Sequence, residues 1–138
     1  MPAISAETAL QKAIREFNAW RFYDCHETLE DVWRESGGKT GAAGPADFYQ
    51  GIIKVAAGLH HALRGNHKGA VNLLSDALRL LEPYQPSYLG VNVGQLVDGS
   101  RRCLDNVLEL GPAEIASFDR SLIPTIHIVQ DAGDGQAG

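Results

Sequence analysis

The chain has 138 residues, 44% of them apolar, and its 12 basic and 17 acidic side chains leave a net charge of −5 at pH 7. Such a length buries one core, and the acidic balance excludes a global positive field for nucleic acid or anionic lipid. No apolar run approaches the roughly 20 residues that span a bilayer, and the opening MPAISAETAL lacks the order of a secretory signal. The expectation is a cytoplasmic protein with neither a membrane nor a nucleic acid as partner. Cys25 and Cys103 stand far apart with no Cys-x-x-Cys, so two buried thiols are expected.

Apolar residues recur at helical spacing in five stretches, and no stretch alternates long enough to predict a strand. A first helix is expected after Ser5 as N-cap, burying Leu10, Ala13, Ile14 and Phe17 and ending at Asn18. A second, Phe22 to Arg34, follows so soon that the two should form an antiparallel hairpin. SGGKTGAAGP, 36 to 45, breaks the pattern; Pro45 and Asp47 then open a third helix, through Leu63, apolar or small almost all round. That composition places it in the middle of the fold.

Gly65 suits a positive φ and Asn66 an N-cap for a fourth helix, His67 to Leu81, with Ala70, Leu73, Leu74, Ala77, Leu78 and Leu81 inward. After the Pro- and Tyr-rich loop 83–90, Asn92-x-x-Gln95 reads as a capping box for a fifth helix ending near Leu110, with Leu96, Val97, Leu104, Val107 and Leu108 inward. AEIASFD adds a helical turn, IPTIHIV an extended arm and DAGDGQAG a frayed end. The expected fold is all-α, a single compact bundle of about five helices with a mostly buried third helix. Residues 1–125 form one helical domain, and 126–138 an extended or disordered C-terminal tail.

The candidate chemistry sits on CHETLEDVW, 25 to 33. Residues at i and i+4 share a helix face, so His26 and Glu30 can converge on one ion or substrate atom, whereas Glu27 points further towards solvent. On the third helix Gln50, Lys54 and His61 form a narrow polar stripe whose partners the second helix is expected to supply. His26, Glu30 and His61 together make a two-His, one-carboxylate set suited to a divalent metal, with Gln50 beside it. The same couple also fits an ion pair that fixes helix pairing. His60 and His67 lie off the stripe and read as surface or loop residues.

At these residues the chain resembles the domain-of-unknown-function family 309, most closely its cyanobacterial branch. The resemblance runs through FN at 17–18, FYDCHETLEDVW at 22–33, FYQGI at 48–52, Leu-His-His at 59–61, RGNHKGA at 64–70 and YQPSYLGVNV at 84–93. It implies a helical bundle with signature positions at His26, Glu27, Glu30, Trp33, Tyr49, Gln50, Gly51, Gly65 and Asn66, and no established reaction. Asp24, Lys68 and Asn92 depart from the usual Glu, Arg and Asp.

Two functional expectations follow. In the first, a pocket between the second and third helices performs metal-assisted or acid-base hydrolysis on a small molecule, with Glu30 or Glu27 as base, His26, Glu30 and His61 as metal ligands, and Gln50, Tyr49 and Trp33 touching substrate. In the second, the chain is a non-catalytic module that meets a protein or a second copy of itself through exposed Tyr84 and Tyr88.

Overall fold

The computed structural model describes residues 7–35 and 44–129. Five helices carry the fold, as expected of an all-α bundle: α1 (Ala9–Asn18), α2 (Phe22–Glu35), α3 (Ala46–Leu63), α4 (His67–Leu81) and α5 (Val93–Leu110). Ser5, most of the glycine-rich break and the DAGDGQAG end lie outside the described residues. α1 is capped by Thr8, whose hydroxyl accepts from Gln11 N–H while the Gln11 side chain accepts from Thr8 N–H. This reciprocal box satisfies two donors that a helix start otherwise leaves orphaned.

α1 turns into α2 through Trp20 at φ 62°, with Trp20 N–H donating to Phe17 O and Arg21 N–H to Glu16 O. These are the two bonds of a Schellman closure, with a bulky aromatic where glycine is usual. The α3–α4 turn repeats the closure conventionally: Gly65 takes φ 83°, and Asn66 N–H donates to His61 O. Asn66 then caps α4 by accepting from Gly69 N–H.

α3 is the central helix, buried along Gly51, Ile52, Ile53, Val55, Ala56, Gly58, Leu59 and Ala62. α4 packs on it most extensively, α2 next. A Cβ added at Gly51 would lie 2.6 Å from Leu81 Cγ and Cδ2, and one at Gly58 would lie 2.9 Å from Leu74 Cγ. The two glycines are seven residues apart on one face of α3, so they let α4 approach closely along two turns.

The rest closes around this pair. Two-residue strands β1 (Ser87–Tyr88) and β2 (Val91–Asn92) make a hairpin too short for period two to register. Its turn, Leu89 and Gly90, has positive φ at both positions, as in a type I′ turn. Tyr84 and Tyr88 pack back on Phe48, ring centroids 5.7 and 4.9 Å away, and Tyr84 donates to Gly44 O. They are half-buried, not the exposed pair expected, because Phe48 offers a ring face at the start of α3. Leu108 is exposed, contrary to expectation, since α5 buries only the side carrying Leu96, Val97, Leu104 and Val107.

Short 3-10 turns, Pro112–Ser117 and Arg120–Leu122, lead into an extended arm over 123–129. Asn18 clamps the arm with both ends of its amide, donating to Ile126 O and accepting from Ile126 N–H. Asn92 N–H donates to His127 O, Val91 bridges Ile128, and Pro124 sits 2.5 Å from where a Gly99 Cβ would be.

The α3–α4 seam generates a direct test in Gly51→Ala. Alanine gains about 1 kcal/mol in helix propensity, but overpacking costs about 1–3 kcal/mol. Leu81 is fully buried and cannot swing aside. Urea denaturation is expected to give a net loss of about 1–2 kcal/mol; an unchanged or raised stability would mean that the seam is looser than described.

Candidate functional site

A cleft of about 240 Å³ opens between α2 and α3, lined by Phe22, Tyr23, His26, Ala57, His60 and His61. Position determines the lining: Phe22, Tyr23 and His26 occupy the first turns of α2, while Ala57, His60 and His61 lie on one face of the last turns of α3. His26 and His61 thus meet in one cleft. His60 joins them instead of facing outward as a surface residue, because the cleft takes up the flank of α3 beside the expected stripe.

His26 stacks on exposed Tyr23, ring centroids 6.1 Å apart. Its Nε2 is 3.5 Å from Glu30 Oε2 and its Nδ1 3.8 Å from Glu27 Oε2, both longer than a good charge-assisted bond. His26 Nδ1 is buried with no hydrogen-bond partner. Glu30 also meets Arg34 Nη1 at 3.4 Å. Glu27 is exposed and Glu30 half-buried, and neither lines the cleft.

His61 is held from α4. Asn66 Nδ2 lies 3.0 Å from His61 Nδ1, and the Asn66 oxygen is already committed to Gly69 N–H. The amide nitrogen therefore donates to Nδ1, so neutral His61 carries its proton on Nε2. Gly69 leaves room for this, since a Cβ there would fall 2.8 Å from Asn66 Nδ2 and 3.0 Å from His61 Cγ. The RGNHKGA block is thus one device: Gly65 makes the turn, Asn66 caps α4 and orients His61, and Gly69 clears the space.

Burial holds the His60 imidazole below its ordinary range, helped by Arg64, His61 and His26. His60 is therefore neutral at neutral pH and able to accept a proton. Burial and Glu16 push the Cys25 thiol up to about 12, which leaves no thiolate for a nucleophile beside His26.

The remaining expected site residues lie elsewhere. Lys54 pairs with Asp76 of α4 at 3.1 Å, so the polar stripe finds its partners on α4, for Lys54 and His61 alike, rather than on α2. The Gly51 and Gly58 contacts bring α4 beside that stripe. Gln50 is half-buried, its Oε1 without a hydrogen bond, and Tyr49 packs beside Phe48. Trp33 is half-buried against the core. None of the three lines the cleft. Among the described residues no group of three or more His, Cys, Asp or Glu could hold a metal ion.

Two residues escaped the sequence reading. Glu16 is a buried carboxylate that accepts from the Thr28 hydroxyl at 2.8 Å and meets Lys12 at 3.6 Å, tying α1 to α2. Its only sequence signal is a charge amid the buried stripe of α1. His67, expected at the surface, donates from Nε2 to Val107 O and ties the start of α4 to α5.

Residues 10–73 match the domain of unknown function family, DUF309. The DUF309 stretch holds α1, α2, α3 and the first half of α4, and with them every residue that lines the cleft. YpuF, an uncharacterized protein of Bacillus subtilis (strain 168), is 33% identical over 86 residues, 60% of this chain and 47% of that protein. An uncharacterized protein of Aquifex aeolicus (strain VF5) is 31% identical over 115 residues, 83% of this chain and 32% of that one. The chain thus spans less than half the length of these curated relatives. No solved structure matches the chain.

The long contacts around Glu30 make Glu30→Gln a mild change. Exposed or half-exposed pairs of this kind contribute about 0–1 kcal/mol, so the unfolding free energy is expected to move by less than about 1 kcal/mol. A loss of about 2–3 kcal/mol in urea denaturation would instead identify the His26–Glu30 couple as a structural bond.

Proposed function

We propose that the α2–α3 cleft is a small-molecule site in which imidazoles act as general acid and base, hydrolysis being the reaction class they suit. The convergence of three imidazoles from two helices on one largely apolar cleft carries this reading. His60, kept neutral, is the base; the His61 Nε2–H, its tautomer set by Asn66, is the donor. Glu30 is a positioning residue for His26 Nε2, and Glu27 the weaker member of that pair. An occupant is small, with one or two rings, since the cleft exceeds the roughly 150 Å³ that accepts benzene. Acid-base chemistry is favoured over metal assistance because the described residues bring no three His, Cys, Asp or Glu side chains together for an ion.

Two free, buried thiols accord with a cytoplasmic setting; no described helix is long and apolar enough to cross a membrane. We propose further that the chain falls in the cyanobacterial-type branch of DUF309, which the ordered blocks from FN at 17–18 to YQPSYLGVNV at 84–93 support. A second reading, a non-catalytic interaction module, is favoured by one observation. Trp20 and Tyr23, 46% and 62% exposed, stand at the α1–α2 corner, where Tyr23 lines the cleft and Trp20 is held in a left-handed conformation that costs energy.

The hydrolytic reading is tested with 4-nitrophenyl acetate. Saturable turnover is expected in the full chain, lost when Ala57→Trp fills the cleft and lowered about a hundredfold by His60→Gln. Hydrolysis that never saturates, or that Ala57→Trp leaves intact, would contradict it and leave the interaction reading.

A further inference from the structure

α3 ends at a second cleft, separate from the imidazole cleft. It has a volume of about 290 Å³ and lies between the last turn of α3 with its Gly65 turn and the two 3-10 turns that follow α5. Ile115 and Phe118 are buried and, with Leu63 and Ala116, give it an apolar floor. Arg64 from the end of α3 and Arg120 from the second 3-10 turn complete the lining, which contains no carboxylate.

Neither guanidinium has an ion pair or hydrogen bond among the described residues. This is notable on a chain of net charge −5, where acidic partners outnumber basic ones. The nearest acid in sequence, Asp119, is occupied: its Oδ1 accepts from Ser121 N–H and from the Ser121 hydroxyl. The partial negative charge expected at the end of α3 is blunted as well, because the carbonyls of His60, His61 and Ala62 already accept from the N–H groups of Arg64, Gly65 and Asn66. Two forked cations over an apolar floor match a ligand with an anionic head and an apolar body.

We propose that this cleft binds a small amphipathic anion, its carboxylate or phosphate bridged by Arg64 and Arg120 and its apolar body laid on Ile115, Ala116 and Phe118. The site communicates with the imidazole cleft. Arg64 follows His60 by one helical turn on the same flank of α3, and its charge, after burial and alongside His61 and His26, holds His60 below the ordinary imidazole range. An anion on Arg64 offsets that charge, so His60 titrates higher when the second cleft is filled.

The test is an NMR titration of the full chain with octanoate, octyl phosphate, 1-octanol and inorganic phosphate, each into the millimolar range. Octanoate and octyl phosphate are expected to shift the Ile115 methyl and Phe118 ring signals saturably, whichever head binds tighter naming the natural class. Binding should weaken at least about tenfold in 1-octanol, in inorganic phosphate, and in the variants Arg64→Gln and Arg120→Gln, each of which removes one charge-assisted contact. Both variants alter exposed side chains, and circular dichroism checks that the helices remain. The His60 titration should move up on octanoate binding in the wild type and stay in place in Arg64→Gln. Octanol binding as tightly as octanoate, inorganic phosphate binding as tightly as octyl phosphate, undiminished affinity in Arg120→Gln, or no saturable shift would each overturn the proposal.

Discussion

The close approach of α3 and α4 at Gly51 and Gly58 is the constraint on which the other contacts depend. Without a Cβ at these two positions, Leu81 and Leu74 of α4 fill the space against α3. α4 thereby covers one long side of α3, α2 a second, and the aromatic group of Phe48, Tyr84 and Tyr88 the start of the helix. Most polar side chains on such a helix need a neighbour to meet them or a gap to face. Lys54 and His61 meet Asp76 and Asn66 of α4, and His60 lies in the gap towards α2.

Much of this arrangement was legible in the sequence because it is set locally. The bounds of α4, the positive φ of Gly65 and the caps at Asn66 and Asn92 follow from turn chemistry within a few residues. The central place of α3 followed from its run of small and apolar residues. What failed depended on which neighbour lies where. His67 looks like a loop histidine until α5 presents the Val107 carbonyl to it. Leu108 fits the helical period of α5, yet among the described residues it stays exposed. The Asn18 clamp joins residues 108 apart, beyond any periodicity argument. The same limit applied to the site. Spacing put His26 and Glu30 on one face of α2, but it could not say that His60 would share a cleft with His26 or that Glu30 and Gln50 would not.

The site inherits its geometry from the seam as well. His61 points as it does because Asn66 both caps α4 and donates to the ring, and Gly69 gives Asn66 the room to do so. The residues of the family-like blocks therefore divide by task. Gly51, Gly65, Asn66 and Gly69 build and orient; His26, His60 and His61 face open space. The couple His26–Glu30 is loose and half-buried, and both of its members lie on α2. Beyond it, Arg64 continues the same flank of α3, and its charge is one of the influences that hold His60 below the ordinary imidazole range.

Native-state hydrogen exchange tests the primacy of the α3–α4 seam most directly, because it measures the opening free energy of each helix within the intact chain. Amides of α3 from Val55 to Leu59 and of α4 from Leu74 to Leu78 are expected to exchange only through global unfolding, their opening free energy equal to the stability from urea denaturation. α1 and the arm over 123–129 should open earlier. Seam amides that exchange through a smaller opening while α1 and α2 stay protected would contradict the account.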